Sequence, residues 1–421
     1  GTQNAALGTL ALNQNTTASN NTGIGHYALQ VNTTGAQNTA VGSFALDANT
    51  TAHNNTAIGY NSLTANTTGT ENVAAGSDSL AANTTGSYNT ALGQGALAAN
   101  TTASSNTAVG DNTLNVNTTG ASNTAVGQNS LAANTTGGYN AAVGYQSLDS
   151  NTTGASNTAV GNRALQSNTT ADNNTAVGSN ALDTNTTGAQ NTALGVSALY
   201  ANTTAAYNVA IGYRALQANT TGTQNTAVGS FALEDITTES YCTAIGYNGL
   251  RNNAGANNTA CGYSALQDNT TATNNTAVGY NALVTNTTGA NSAAVGRNAL
   301  ALNTTGSSNT ALGTSALYAN TTASYNTAIG DSALSSNTTG AENTAVGHQA
   351  MKDNVDGYYN TAVGYHALEN NTTASRNNAF GYRALFANTT GSNCVAVGNR
   401  ALEAHTTGYE NTAIGSRAGD T

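Results

Sequence analysis

Proline and tryptophan are absent from this 421-residue sequence, and charged residues make up only 7% of it. So few charges exclude a disordered chain that is kept in solution by its charge, and they are unlike the surface of an ordinary enzyme. The nine Lys and Arg residues, against 19 Asp and Glu, exclude a nucleic-acid-binding surface, which needs clustered basic groups. No apolar run approaches the ~18 residues that a membrane span requires.

The sequence repeats with a period of 17 from one end to the other. Glycine marks the period from Gly8 to Gly415, and the one irregular step, from Gly246 to Gly262, is 16. This gives 25 copies, of which residues 38–54 are typical, with Asn38 as position one. Positions three (Ala), four (aliphatic), five (Gly), eight (small), nine (Leu), twelve (Asn) and fifteen (Gly or Ala) are nearly fixed. Nearly all of the charged residues and all 19 tyrosines fall on the variable positions between them.

The length of the period selects the fold. A helical pair needs ~30–45 residues per repeat, and a coiled coil needs a period of seven. Asn, Thr and Gly are also poor helix formers. A short, glycine-punctuated period fits one coil of a parallel β-solenoid, whose strands stack ~4.7–4.8 Å apart. We therefore predict an all-β fold, a parallel β-solenoid (β-roll) of about 25 coils with one repeat per coil, forming a rod of roughly 120 Å.

Like residues of successive copies would then stack in columns. Glycine at position five is expected at corners where a Cβ would clash. The asparagines at positions one and twelve are each expected to stack on their equivalents in neighbouring copies and to form ladders of side-chain amide hydrogen bonds, with those at position twelve pointing inward. Asn-Thr-Thr occurs in 20 copies and is formally an N-glycosylation acceptor, but we favour the ladder because an inward Asn cannot be reached. The columns are exemplified by Gly42, Gly59 and Gly76, and by Asn49, Asn66 and Asn83.

Two pairs of adjacent apolar residues in each copy raise the question of what covers them. Ala40 precedes Val41 and Ala45 precedes Leu46, and neighbours in a strand point to opposite faces. If all four are buried, a narrow interior takes the Ala side chains, and the Val41 or Leu46 rank packs on another chain. We therefore predict a homo-oligomer, with a trimer favoured. The alternative is a monomer with a flattened core of Leu and Val.

Residues 275–283 read Asn-Thr-Ala-Val-Gly-Tyr-Asn-Ala-Leu. This pattern resembles the head repeats of trimeric autotransporter adhesins and the repeats of phage-tail-fibre-type surface proteins, and the resemblance covers the whole chain. It implies a trimeric, left-handed parallel β-roll used in adhesion. The period is longer here than in the adhesin heads, and the Asn-Thr-Thr arm is extra. These departures leave trimer formation and handedness open.

We treat residues 1–421 as one continuous repeat array with irregular copies at 234–257 and 351–359. Because the array begins and stops within a repeat, we expect it to be part of a longer fibre. The second irregular copy offers Asp353, Asn354 and Asp356 as calcium ligands. It lacks the distal Glu of a complete acidic loop, so drift at a turn is favoured.

Chemistry-bearing residues are scattered in the sequence. Only His348 and His366 fall in adjacent copies, and two His make no metal site without further ligands. Cys242, Cys261 and Cys394 are interpreted as substituted small core residues. We therefore predict no enzymatic activity, no cofactor and no metal.

The leading hypothesis for function is a structural extracellular fibre or adhesin shaft on a cell or virion surface. Its expected partners are further copies of the chain, side by side or end to end, and host-surface glycans or proteins. The alternatives are an ice-binding solenoid that uses its Thr rows and a carbohydrate-binding phage tail fibre or spike. Exposed Tyr could stack on sugars or on a host surface, although Tyr stacking along the array is also expected. The candidate contact residues are Tyr60, Tyr145, Tyr213 and Tyr280.

Overall fold

The computed structural model describes residues 1–419, and every regular element within them is a β-strand. The chain divides into two compact units, Gly1–Ala210 and Ile211–Thr421. Each unit contains three-residue strands, one for each repeat. None of the described residues belongs to a helix that could cross a bilayer.

The strands of the first unit are β1 (Ala5–Leu7), β2 (Thr22–Ile24), β3 (Thr39–Val41), β4 (Thr56–Ile58), β5 (Val73–Ala75), β6 (Thr90–Leu92), β7 (Thr107–Val109), β8 (Thr124–Val126), β9 (Ala141–Val143), β10 (Thr158–Val160), β11 (Thr175–Val177) and β12 (Thr192–Leu194). β13 (Val209–Ile211) includes the residues at which the units divide. The strands of the second unit are β14 (Thr226–Val228), β15 (Thr243–Ile245), β16 (Thr259–Cys261), β17 (Thr276–Val278), β18 (Ala293–Val295), β19 (Thr310–Leu312), β20 (Thr327–Ile329), β21 (Thr344–Val346), β22 (Thr361–Val363), β23 (Asn378–Phe380), β24 (Val395–Val397) and β25 (Thr412–Ile414).

Within each unit the strands are parallel and pair in register with the equivalent strand of the next repeat. In the pair β3–β4, for example, Thr39 pairs with Thr56 and Val41 with Ile58. Each repeat is therefore one coil of a parallel β-solenoid. The fold class predicted from the period is confirmed.

The short strand places position three inside the coil and positions two and four outside. Ala40 is fully buried, whereas Thr39 and Val41 are only partly covered. This follows from the alternation of side chains along a strand. The strand ends at the glycine of position five, where Gly42 has φ +141°.

The rest of the coil is a series of turns in which adjacent residues can both face inward. Position seven (Phe44, φ +60°) and position nine (Leu46, φ +53°) are left-handed. These angles break the alternation of an extended chain, so that Ala45 and Leu46 are both completely buried. Leucine at position nine is fully buried in almost every coil and is the largest side chain of the core.

The structure corrects the expected placement of the apolar ranks. The interior holds Leu46 as well as the Ala side chains, so the expectation that only Ala fits inside is wrong. The core of Leu and Val expected for a monomer is also wrong, because the position-four rank lies outside and Ile58 is 45% exposed. Leu46 turns inward because of the left-handed backbone at positions seven and nine, and the position-four rank lies outside because position three of the same strand is inside.

The shortened copy between Gly246 and Gly262 keeps the register of the strands on both sides. Thr243 of β15 pairs with Thr259 of β16, and Ile245 pairs with Cys261. The missing residue lies in the turn after Asn253, whose Nδ2 donates to the carbonyl two residues ahead rather than three. The deletion is therefore absorbed at a corner.

Neighbouring coils approach each other so closely at position five that only glycine fits there. A Cβ on Gly59 would lie 2.5 Å from the carbonyl oxygen of Gly76, and its φ is +134°. Gly59→Ala should therefore lower the free energy of unfolding by at least about 2 kcal/mol in urea titrations. Gly95→Asn is the matched control, because position seven accepts Asn61 at φ +53° in another coil. A Gly59→Ala protein as stable as the wild type would contradict this account of the corner.

Candidate functional site

The position-twelve asparagines form a ladder inside each unit. Asn49 Nδ2 donates to Asn32 Oδ1 (2.8 Å), and Asn83 Nδ2 donates to Asn66 Oδ1 (2.9 Å). The same Nδ2 groups also donate to the carbonyl three residues ahead, as Asn66 does to Gly69 (2.9 Å). These Asn residues are completely buried, which confirms the predicted ladder.

The position-one asparagines form a second column with different chemistry. The backbone N–H of Asn38 donates to Asn21 Oδ1 (2.9 Å), and Asn38 Nδ2 donates to the carbonyl of Ala52 (2.8 Å). Each position-one side chain therefore makes two bonds. Its Oδ1 accepts from the backbone N–H of the equivalent residue in the next coil, and its Nδ2 donates to the carbonyl at position fifteen of its own coil. Sequence reasoning expected the amides of this column to bond to one another, whereas the main contact along this column is to a backbone N–H.

Substitutions in the two columns show what these positions require. Cys242 and Cys394 replace Asn at position one, are free and are completely buried, as expected of core substitutions. Burial raises the pKa of the Cys242 thiol. Cys261, by contrast, lies at position four on the outside and is only partly covered, so its assignment to the core is wrong. Asn354, weighed as a calcium ligand, is a ladder member that donates to Asn337 Oδ1 (2.8 Å).

The outer strand face is the most regular exposed surface of each unit. It consists of positions two and four, and no copy carries a charged residue at either position. The aliphatic rank is exposed, as shown by Ile58 (45%), Val143 (39%) and Val278 (37%). An exposed, uncharged aliphatic rank of this kind is typical of contact surfaces.

The four candidate tyrosines all lie at the surface, and three of them contact other rings. Tyr280 stacks on Tyr263 with ring centroids 5.3 Å apart. Tyr213 and Tyr60 each meet a phenylalanine edge-on. Tyr145 is 45% exposed. Stacking along the array therefore covers ring faces at Tyr280, as anticipated, and the role of the four residues in surface contacts stays a prediction.

Ion pairs between neighbouring coils were missed in the sequence, although their spacing is regular. Arg163 at position seven lies 3.3 Å from Asp183, which is at position ten of the next coil. Arg214 and Glu234 occupy the same two positions and form the same kind of pair. Burial raises the pKa of Asp183, while Arg163 opposes that shift. A search for opposite charges at position seven of one copy and position ten of the next would have found these pairs.

The two histidines of adjacent copies also come together. The rings of His348 and His366 are 5.4 Å apart, and His366 hydrogen-bonds Glu369. In residues 1–419, no group of three or more His, Cys, Asp or Glu side chains is arranged to hold a metal ion.

A scan against protein-family models finds no match for this chain, and a search of curated proteins finds no significant match. The adhesin-like and tail-fibre-like resemblance therefore rests on the repeat pattern alone. What is shown is the parallel β-solenoid with one repeat per coil and its Asn ladder.

The ladder predicts a large effect for a single internal amide. Asn66→Ala would leave Asn49 Oδ1 without its donor and one N–H of Asn83 Nδ2 without its acceptor, both inside the coil. We expect the free energy of unfolding to fall by about 2–4 kcal/mol, since each buried unpaired group costs about 1–3 kcal/mol. Chemical denaturation followed by circular dichroism measures this loss. Asn115→Ala, at the variable position ten, should change stability by less than about 0.5 kcal/mol. Equal effects of the two variants would contradict the ladder.

One rung of the ladder is titratable. His405 replaces Asn at position twelve, with Nδ1 3.2 Å from Asn388 Oδ1 and Nε2 3.0 Å from Asn411 Nδ2. An amide nitrogen can only donate, so Nε2 accepts and the ring is neutral in this arrangement. Burial lowers the pKa of His405 below its ordinary value. The contribution of this rung to stability is thus present above the ordinary His pKa, begins to be lost as pH falls below it, and is fully lost once pH falls through the lower pKa of the folded state.

We expect amides of the last coils, around β24 and β25, to lose protection from hydrogen exchange progressively as pH falls below the ordinary His pKa of 6.5, after correction for intrinsic rates. His405→Asn should remove this pH dependence by restoring the usual ladder residue. His53→Asn, in the other unit, should leave it intact. Persistence of the effect in His405→Asn would show that another group is responsible.

Proposed function

We propose that this chain is a structural shaft of an extracellular fibre or adhesin, carried on a cell or virion surface and used in attachment. The observation that carries this proposal is the in-register stacking of identical residues within each unit. Each added coil repeats the same strand pairing and the same buried amide bonds. Stability is then a sum of equal contributions from neighbouring coils, which is how solenoids span distance without a single large core.

The proposed shaft is a homo-oligomer that buries the outer strand face, with a trimer favoured. A three-residue strand of ~3.3 Å per residue and a coil spacing of ~4.8 Å give a face of about 48 Å² per coil. The twelve strands β1–β12 alone then present on the order of 600 Å². This face, in which a mostly Thr row lies beside the aliphatic rank, is close to the ~800 Å² that each partner contributes to a standard interface.

The composition of this face favours packing on another copy over ice binding. Thr occupies position two in 18 copies, but position four carries an aliphatic rank in place of a second Thr row. A second copy would cover this rank without burying any charge, because positions two and four carry none.

Charges placed on the outer face should dissociate the oligomer. In Val160→Lys/Val177→Lys, two adjacent strands carry lysines that point outward, so the coil interior is unaffected. Light scattering coupled to size exclusion should give a multiple of 41.8 kDa for the wild type and the single-chain mass for this variant. Circular dichroism should be unchanged.

Asn162→Lys/Ser179→Lys is the matched control, since it adds the same charge at position six of the same two coils. It should retain the wild-type mass. Cys261 gives an independent readout, because it is the half-exposed thiol on the outer face of β16 and should react with an alkylating reagent faster in the dissociated protein. A wild type that is monomeric at high concentration would refute the oligomer.

A further inference from the structure

Positive charge and aromatic rings are concentrated in one part of the second unit. Residues 1–162 contain no Lys or Arg, whereas residues 348–419 contain five of the nine. The side chains at positions six, seven and ten of two neighbouring coils in this region line a cleft of about 330 Å³. The lining residues are Tyr365, His366, Glu369, Tyr382, Arg383 and Phe386.

Aromatic side chains form the walls of this cleft. Tyr365 and Tyr382 stack with centroids 5.7 Å apart and an interplanar angle of 13°, and His348 extends the row with its ring 5.0 Å from Tyr365. Tyr365 is 48% exposed and Tyr382 39% exposed. Phe386 lies 6.2 Å from the His366 ring and 4.0 Å from the Arg383 guanidinium carbon. The cleft thus offers apolar ring surface to a ligand that has an apolar face.

The polar groups of the cleft are paired, so that it carries little net charge. His366 Nδ1 hydrogen-bonds Glu369, which is buried. Arg383 Nε lies 2.8 Å from Glu403 Oε1, and Arg400 Nε lies 3.5 Å from the other oxygen of the same carboxylate. A guanidinium and a carboxylate whose charges are already balanced serve as hydrogen-bond donor and acceptor for hydroxyl groups. They do not favour a charged ligand.

The solenoid itself does not require this cluster. Arg163 makes the same coil-to-coil ion pair from position seven, but its coil carries Asn162 and Gln166 where the Arg383 coil carries Tyr382 and Phe386. The aromatic walls are therefore added to a scaffold that is complete without them. Side chains added at variable, exposed positions of a repeat protein are typical of a binding surface.

We propose that this cleft binds one pyranose ring of a neutral polysaccharide. The rings of Tyr382 and Phe386 pack on the apolar face of the sugar, while Arg383 and Glu369 hydrogen-bond its hydroxyl groups. The volume is at the small end of ligand sites and suits a single ring. The five Lys and Arg of residues 348–419 are matched by five Asp and Glu, so this region has no excess positive charge that would favour an acidic polymer. This site does not depend on the proposed oligomer, because it uses none of positions two and four.

The test is titration calorimetry of the full chain with cellohexaose, maltohexaose and mannohexaose as neutral probes and polygalacturonate as an acidic probe. At least one neutral hexasaccharide should bind. Tyr382→Ala and Arg383→Gln should each weaken that binding by about tenfold or more, the equivalent of one lost packing or hydrogen-bonding contact. Both positions are variable among the copies, so the fold should tolerate the changes.

The matched controls are Tyr145→Ala and Arg163→Gln, which occupy the same repeat positions in the first unit. They should bind the neutral probe as the wild type does. Binding of none of the three hexasaccharides, binding of polygalacturonate alone, or equal losses in the test and control variants would each overturn the proposal. Light scattering on the same samples reports the oligomeric state separately, so failure of the sugar site and failure of the proposed shaft are distinguishable.

Discussion

A single coil is too thin to satisfy its own buried polar groups, and the coils on either side must complete its hydrogen bonds. Asn38 shows this dependence, because its backbone N–H is paired only through the side chain of Asn21 in the preceding coil. Asn66 shows it in both directions, accepting from one neighbour and donating to the other. The requirement that equivalent residues stack is therefore a hydrogen-bonding requirement before it is a packing one.

This requirement divides the repeat into constant and variable positions. Residues that bond or pack between coils cannot change without leaving a partner unpaired, and so the Asn columns and the small residue at position three recur. Left-handed backbone at Leu46 costs about 1–2 kcal/mol, and burial of a leucine side chain contributes about 1.5–3 kcal/mol. Burial of Leu46 thus offsets the strain of its own left-handed backbone. Positions six, seven and ten lie outside this constraint, which leaves them able to carry rings and charges.

The two exposed surfaces follow from that division. The outer strand face is repetitive because positions two and four belong to the strand, and its lack of charge suits contact with an equally repetitive partner. The Tyr365–Phe386 cleft is local because it arises where variable positions of two neighbouring coils happen to carry complementary side chains. In this way a repetitive scaffold combines one exposed strand face, the proposed contact surface, with a discrete cleft, the proposed sugar site.

Period, strand type and the buried Asn ladder followed from the amino-acid pattern alone. Because each residue stacks on its equivalent in the next copy, the hydrogen bond that Asn49 makes to Asn32 requires an Asn at both positions. The same residue therefore recurs at position twelve of nearly every copy. The direction of Leu46 did not follow, because leucine has no preference for a left-handed backbone and only the closure of the coil imposes φ +53° there. The left-handed turns put Leu46 inside beside Ala45, whereas the alternation of the short strand, with Ala40 inside, leaves the Val41 rank outside. The contact between Arg383 and Glu403 of neighbouring coils likewise depends on where the chain turns. Local sequence preferences do not specify that position.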